Sequence, residues 1–114
     1  MKTKSLIGAL AFTAMLCMPH ISDAQGIGNG IITNDCFWNT VDGTPIYSQG
    51  GGIFKFTDPT TGKMAYYWYG AHYKEAELYR NDPTRIHERN NVVGVSCYKS
   101  TDLTNWKDMG HVIT

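Results

Sequence analysis

An excess of charge, a metal-ligand spacing and a long apolar run are all missing from this chain. Ten lysines and arginines balance ten aspartates and glutamates over 114 residues. That balance offers nothing to draw nucleic acid or an anionic lipid surface, so neither partner is expected. No pair of cysteines or histidines has the spacing of a zinc site, and His72, His87 and His111 are scattered. The apolar stretch at 6–18 is too short to cross a bilayer as a helix, so no membrane span is expected. No segment of the chain repeats another.

What is present begins with a secretory signal peptide, expected over residues 1–24. Lys2 and Lys4 form its charged start, and Ser22-Asp23-Ala24 supplies small residues for cleavage before Gln25. The expected destination is export, either periplasmic or secreted. Cys17 raises a lipid-anchored form as an alternative, for which Leu16 is a poor neighbour. Removing residues 1–24 takes away Lys2, Lys4 and Asp23, which leaves 10 − 2 = 8 basic and 10 − 1 = 9 acidic side chains, about −1. Only Cys36 and Cys97 then remain. Export permits a disulfide between them, and two separate thiols are the alternative.

The remaining 114 − 24 = 90 residues can build only a marginal core. Yet they carry Trp38, Trp68, Trp106 and a run of four rings, Tyr66-Tyr67-Trp68-Tyr69. Successive residues of a strand point to opposite faces, so that run puts aromatics on both sides of a sheet. So many rings call for more partner surface than the chain supplies, and a fragment of a larger protein is the expectation.

Residues 25–37 are rich in Gly and Asn and read as a flexible lead. A turn follows at 39–45, centred on Asp42-Gly43. Strands are expected at 51–56 and 64–69, joined by the turn-dense stretch 57–63. Residues 73–80 have the propensity for a turn or two of helix, which Asp82-Pro83 stops. The excursion at 71–91 is long for a hairpin, and reads either as a specificity loop or as a solvated insertion. Val92, Val93 and Val95 mark a third strand at 92–98. A polar turn at 100–102 and Trp106 lead to a fourth at 107–114. The expected fold is therefore all-β, four antiparallel strands in meander order, the build of one β-propeller blade over residues 38–114. Half of a small β-sandwich is the runner-up.

Three motifs carry a resemblance. Gln49-Gly50-Gly51-Gly52-Ile53, Tyr67-Trp68-Tyr69-Gly70, and the stretch from Gly94 to Trp106 with its Cys97-Tyr98 strand and Asp102-Leu103-Thr104-Asn105-Trp106 corner resemble the first blade of family 43 glycoside hydrolases. The similarity is nearest the exo-β-1,3-galactanase-like branch. It implies a five-bladed propeller with a glycan site on its axis, acting on an oligo- or polysaccharide such as galactan or plant-type side chains. It implies inversion, with an acid and a base about 6.5–9.5 Å apart across the sugar. No cofactor is implied, and a structural calcium stays an open alternative. Ser48 to Gly52 holds no carboxylate where most of the family has its aspartate base. The related branch usually has histidine where Gln49 stands, and often glutamate where Ala71 stands. The family's acid belongs to a later blade. The resemblance thus implies an exported hydrolase represented here by one blade, inactive alone and joined in the whole protein by the remaining blades. A non-catalytic glycan-binding propeller is the alternative.

No catalytic residue is assigned. The candidates for sugar binding are Gln49 and Gly50 at the axial end, Trp68 and Tyr69 as stacking platforms, and His72 at the strand end. Each has a plainer reading, as a turn residue, a core ring or a solvated side chain. Glu75 and Glu77 resemble an acid pair, but a two-residue spacing on a helix points them apart. Asp102 is expected to cap its turn, and Trp106 to pin the corner.

Overall fold

A computed structural model describes residues 26–114; the signal-peptide expectation lies outside them. The described chain is mostly β. Two short strands, β1 (Ile27–Gly28) and β2 (Ile31–Ile32), pair with each other. The main sheet is antiparallel, in the order β3 (Gln49–Thr57), β4 (Met64–Tyr73), β5 (Val92–Ser100), β6 (Lys107–Ile113), each strand beside its neighbour in sequence. One helix, α1 (Lys74–Asn81), interrupts the run between β4 and β5.

The β3–β4 hairpin closes through Asp58. Its main chain exchanges hydrogen bonds with Lys63 and Gly62, each 2.8 Å, and its carboxylate accepts from the Thr60 amide at 2.7 Å and pairs with Lys99 of β5. Both strands exceed expectation. β3 starts at Gln49 because a bulge admits one extra residue, with Gln49 opposite Ala71 and Gly52 opposite Tyr69. β4 runs on through Gly70 to Tyr73 because β5 offers it partners as far as Val92.

Side-chain alternation sorts the rings. Tyr66 and Trp68 face a core of Ile27, Tyr98 and Trp106, closed from outside by Trp38 and Ile46. Tyr67 and Tyr69 face the other way, beside Ala65 and Cys97. Segment 26–48 therefore covers one face of the sheet. The Gly- and Asn-rich stretch expected as a flexible lead is held down: Ile27 is buried, the Gly30 amide donates to Thr104 Oγ1 at 2.9 Å, and Trp38 Nε1 donates to the Thr33 carbonyl at 2.8 Å. The opposite face is open, with Phe54 55% and Ile113 64% exposed. Cys36 is exposed, Cys97 is buried, and both are free thiols.

The turn after β5 is built on one carboxylate. Asp102 Oδ1 accepts from the amides of Thr104 (2.9 Å) and Asn105 (2.7 Å), and Oδ2 accepts from Asn105 Nδ2 at 2.7 Å. Those bonds hold its carboxyl far below the usual aspartate range. The Lys99 ammonium and the Thr60 amide lower Asp58 in the same direction. A carboxyl whose folded value is depressed stabilises the fold fully above its ordinary value, 3.8, and loses that contribution as pH falls below it. The urea midpoint should therefore drop between pH 5 and pH 3, as expected from about 3.9 for a free aspartate. Asp102→Asn should flatten that slope; an unchanged slope would show that the turn does not carry it.

Candidate functional site

The covered face does not close completely. Between segment 26–48, α1 and the loop 82–91 lies a hollow of about 610 Å³. That volume suits a small ligand or a short oligosaccharide. Its floor is Trp68, whose ring also meets Trp38 at 6.0 Å and Trp106 at 5.3 Å. Ser48 and Gln49 form one edge, where β3 begins.

Helix α1 supplies the facing wall with Ala76, Tyr79 and Arg80. Its N-cap, Tyr73, makes no side-chain capping bond, so an eight-residue helix depends on tertiary anchors. Arg80 is one. Its guanidinium donates to the Trp38 carbonyl at 3.1 Å and to Asn39 Oδ1, and lies 5.0 Å over the Phe37 ring. Glu75 is the other. Both of its oxygens accept from Asn91, one from the backbone amide at 2.7 Å, which ties the end of the loop to the start of the helix. The start of the loop is tied by Asp82, whose Oδ1 accepts from Thr84 Oγ1 at 2.6 Å. The long excursion is thus a closed rim, carrying Arg85, Ile86 and His87 at the hollow.

Two polar atoms at this hollow are buried and have no hydrogen-bond partner among the described residues, Ser48 Oγ and His87 Nε2. Neither atom is exposed to the hollow, and Ser48 Oγ packs against the Gly70 backbone of β4.

A second hollow, about 290 Å³, holds His72 and His111. His72 Nδ1 and His111 Nε2 share a hydrogen bond of 2.9 Å. The two rings belong to β4 and β6, with β5 between them. They meet because the residue beneath is Gly94: a Cβ there would lie 3.0 Å from His111 Cγ and 2.6 Å from the Ile113 carbonyl. Tyr47 stacks on His72 at 4.5 Å and 8°. Glu77 Oε1 lies 3.0 Å from His72 Nε2.

The five residues proposed from sequence therefore separate. Gln49 and Trp68 meet at the larger hollow, and His72 lines the smaller one. Tyr69 sits on the other face of the sheet, near Phe54 and Cys97. Gly50 adjoins Gln49 at the bulge and lines neither hollow. Ser48, Tyr79, Arg85 and His87 were not singled out as site residues. The only sequence signal for Arg85 and His87 is that Asp82-Pro83 and Asn91 bracket a loop.

Glu75 and Glu77 do point apart. Hydrogen bonds from Asn91 lower the first and the Lys74 ammonium lowers the second, so both are ionised at neutral pH. Neither is a proton donor for a leaving group, which needs a raised value. Among the described residues, no three His, Cys, Asp or Glu side chains are placed to hold a metal ion. Comparison of the chain with protein-family models, with curated proteins and with solved structures finds no match in any of the three.

Proposed function

We propose that this chain is the glycan-holding first blade of an exported, inverting glycoside hydrolase of the family 43 type, and that it has no hydrolytic activity by itself. The observation that carries the reading is the hollow where Gln49 and Trp68 meet, an amide beside an aromatic floor. Sugars are bound in this way: the apolar C–H face of a pyranose lies on a ring, and amides and hydroxyls take its hydroxyl groups. The meander order supports a blade, because a propeller blade is four antiparallel strands joined in sequence. The open face with Phe54 and Phe56 is the surface the remaining blades would cover.

Hydrolysis needs a protonated acid and a base. β3 carries no carboxylate, and Glu75 and Glu77 are ionised and already engaged. The chemistry therefore falls to residues of later blades. The same observation keeps a non-catalytic glycan-binding propeller as the second reading.

The test has two arms. The 114-residue chain should bind β-1,3-galactan, arabinan or xylan oligosaccharides in a calorimetric titration and release no monosaccharide from them. The gene extended past Thr114 should release monosaccharide from one of these polymers. Binding without release by the extended protein would favour the binding module, and absence of binding by either would end the glycan reading.

A further inference from the structure

We infer that the larger hollow is built for a sugar bearing a carboxylate, a hexuronic acid unit of the glycan, and that Arg85 is the residue that selects it. This rests on the glycan reading above and adds the charge of the ligand. The hollow carries two guanidinium groups, Arg80 and Arg85, and one carboxylate, Glu75. Arg80 is spent on Trp38 and Asn39, and both Glu75 oxygens are taken by Asn91. The Arg85 guanidinium has no hydrogen bond or ion pair among the described residues, and the residue is exposed at the rim. The hollow is therefore a net cation in a mature chain whose balance is about −1.

The arrangement discriminates between anions. A guanidinium presents parallel N–H donors that match the two oxygens of a carboxylate in one plane. One uncommitted arginine matches one negative charge, whereas a phosphate dianion would leave a charge uncompensated. The rest of the hollow is suited to a ring: Trp68 and Tyr79 offer apolar faces, while Gln49 supplies an amide for hydroxyls. A bare carboxylate would leave those rings unused, and a neutral hexose would leave Arg85 unused.

The experiment titrates the 114-residue chain with β-glucuronosyl-galactose and, separately, with neutral galactobiose. The acidic disaccharide should bind about tenfold more tightly, the preference expected of one charge-assisted bidentate contact at a partly exposed site. Arg85→Gln should bring its affinity down to that of galactobiose, and Arg85→Lys should restore part of the difference. Arg85 is exposed on a loop, so both variants should keep the wild-type urea midpoint, which confirms that the fold is intact. Equal affinities in the wild type, or a preference that survives Arg85→Gln, would overturn the uronate assignment and leave the glycan reading standing. Failure of both disaccharides to bind would overturn the two together.

Discussion

Gly51→Ala should unfold this chain or come close to it, at more than about 4 kcal/mol, which is exceptional for one methyl group. A Cβ at that position would lie 1.6 Å from the Tyr69 carbonyl oxygen and 2.6 Å from Gly70 Cα. Both are main-chain atoms of β4, so no flexible side chain can move aside. Relief requires β3 to lift away from β4, and with it the pairing that runs from Gly52 to Thr57. A domain of this size has only about 5–15 kcal/mol in total. Gly50→Ala is the control. Gly50 has φ +63° and nothing within 4 Å of its missing Cβ, so its cost is conformational alone, about 1–2 kcal/mol. Urea titrations followed by far-UV circular dichroism separate the two. If the variants had equal midpoints, the close approach at the bulge would not be what this glycine is for.

Trp106→Ala should cost about 3–5 kcal/mol, the range for deleting a large core aromatic. Trp106 is 1% exposed and meets the edge of Trp68 at 5.3 Å, in the cluster with Ile27 and Tyr98. Its Nε1 donates to the Leu103 carbonyl at 3.1 Å, which braces a residue held at φ +67°. Trp106→Phe keeps most of the buried ring and loses that bond, so it should cost about 1–2 kcal/mol. A change near zero for the alanine variant would mean that the corner is not packed against the sheet. Because Trp68 floors the larger hollow, the alanine variant should also lose glycan affinity; the phenylalanine variant should keep most of it.

Much of the sheet was legible in the sequence because its signals are local. Phe54 and Phe56 alternate with Ile53 and Lys55, and the turn residues at 57–63 close on Asp58. The helix was legible from Lys74 to Arg80 and from the Asp82-Pro83 stop. Asp102 caps its turn as its neighbours imply, and the alternation through Tyr66-Tyr67-Trp68-Tyr69 does put rings on both faces. The end of β4 was less legible. The strand pattern breaks after residue 69, but a strand ends where its neighbour stops pairing, and β5 pairs with it as far as Tyr73.

The candidate site was legible only in part. Gln49 and Trp68 stand at the larger hollow, but Tyr69, one residue away, looks out from the opposite face. The purpose of the three glycines also turned on packing: the tightest approach at Gly51 is made by the protein's own backbone, not by a ligand-sized space. His72 and His111 lie 39 residues apart, and no local pattern announces their hydrogen bond across Gly94.

The order of residues alone settled four strands, one short helix, the capped turn and the division of rings between two faces. Each of these depends on backbone preference and on a side-chain period of two, which act over a few neighbours. The chain packing in space decided which face is covered, and brought Ser48, Trp68, Arg85 and His87 around one hollow. Those four come from three distant stretches, and only the docking of segment 26–48 and the loop 82–91 against the same sheet makes them neighbours.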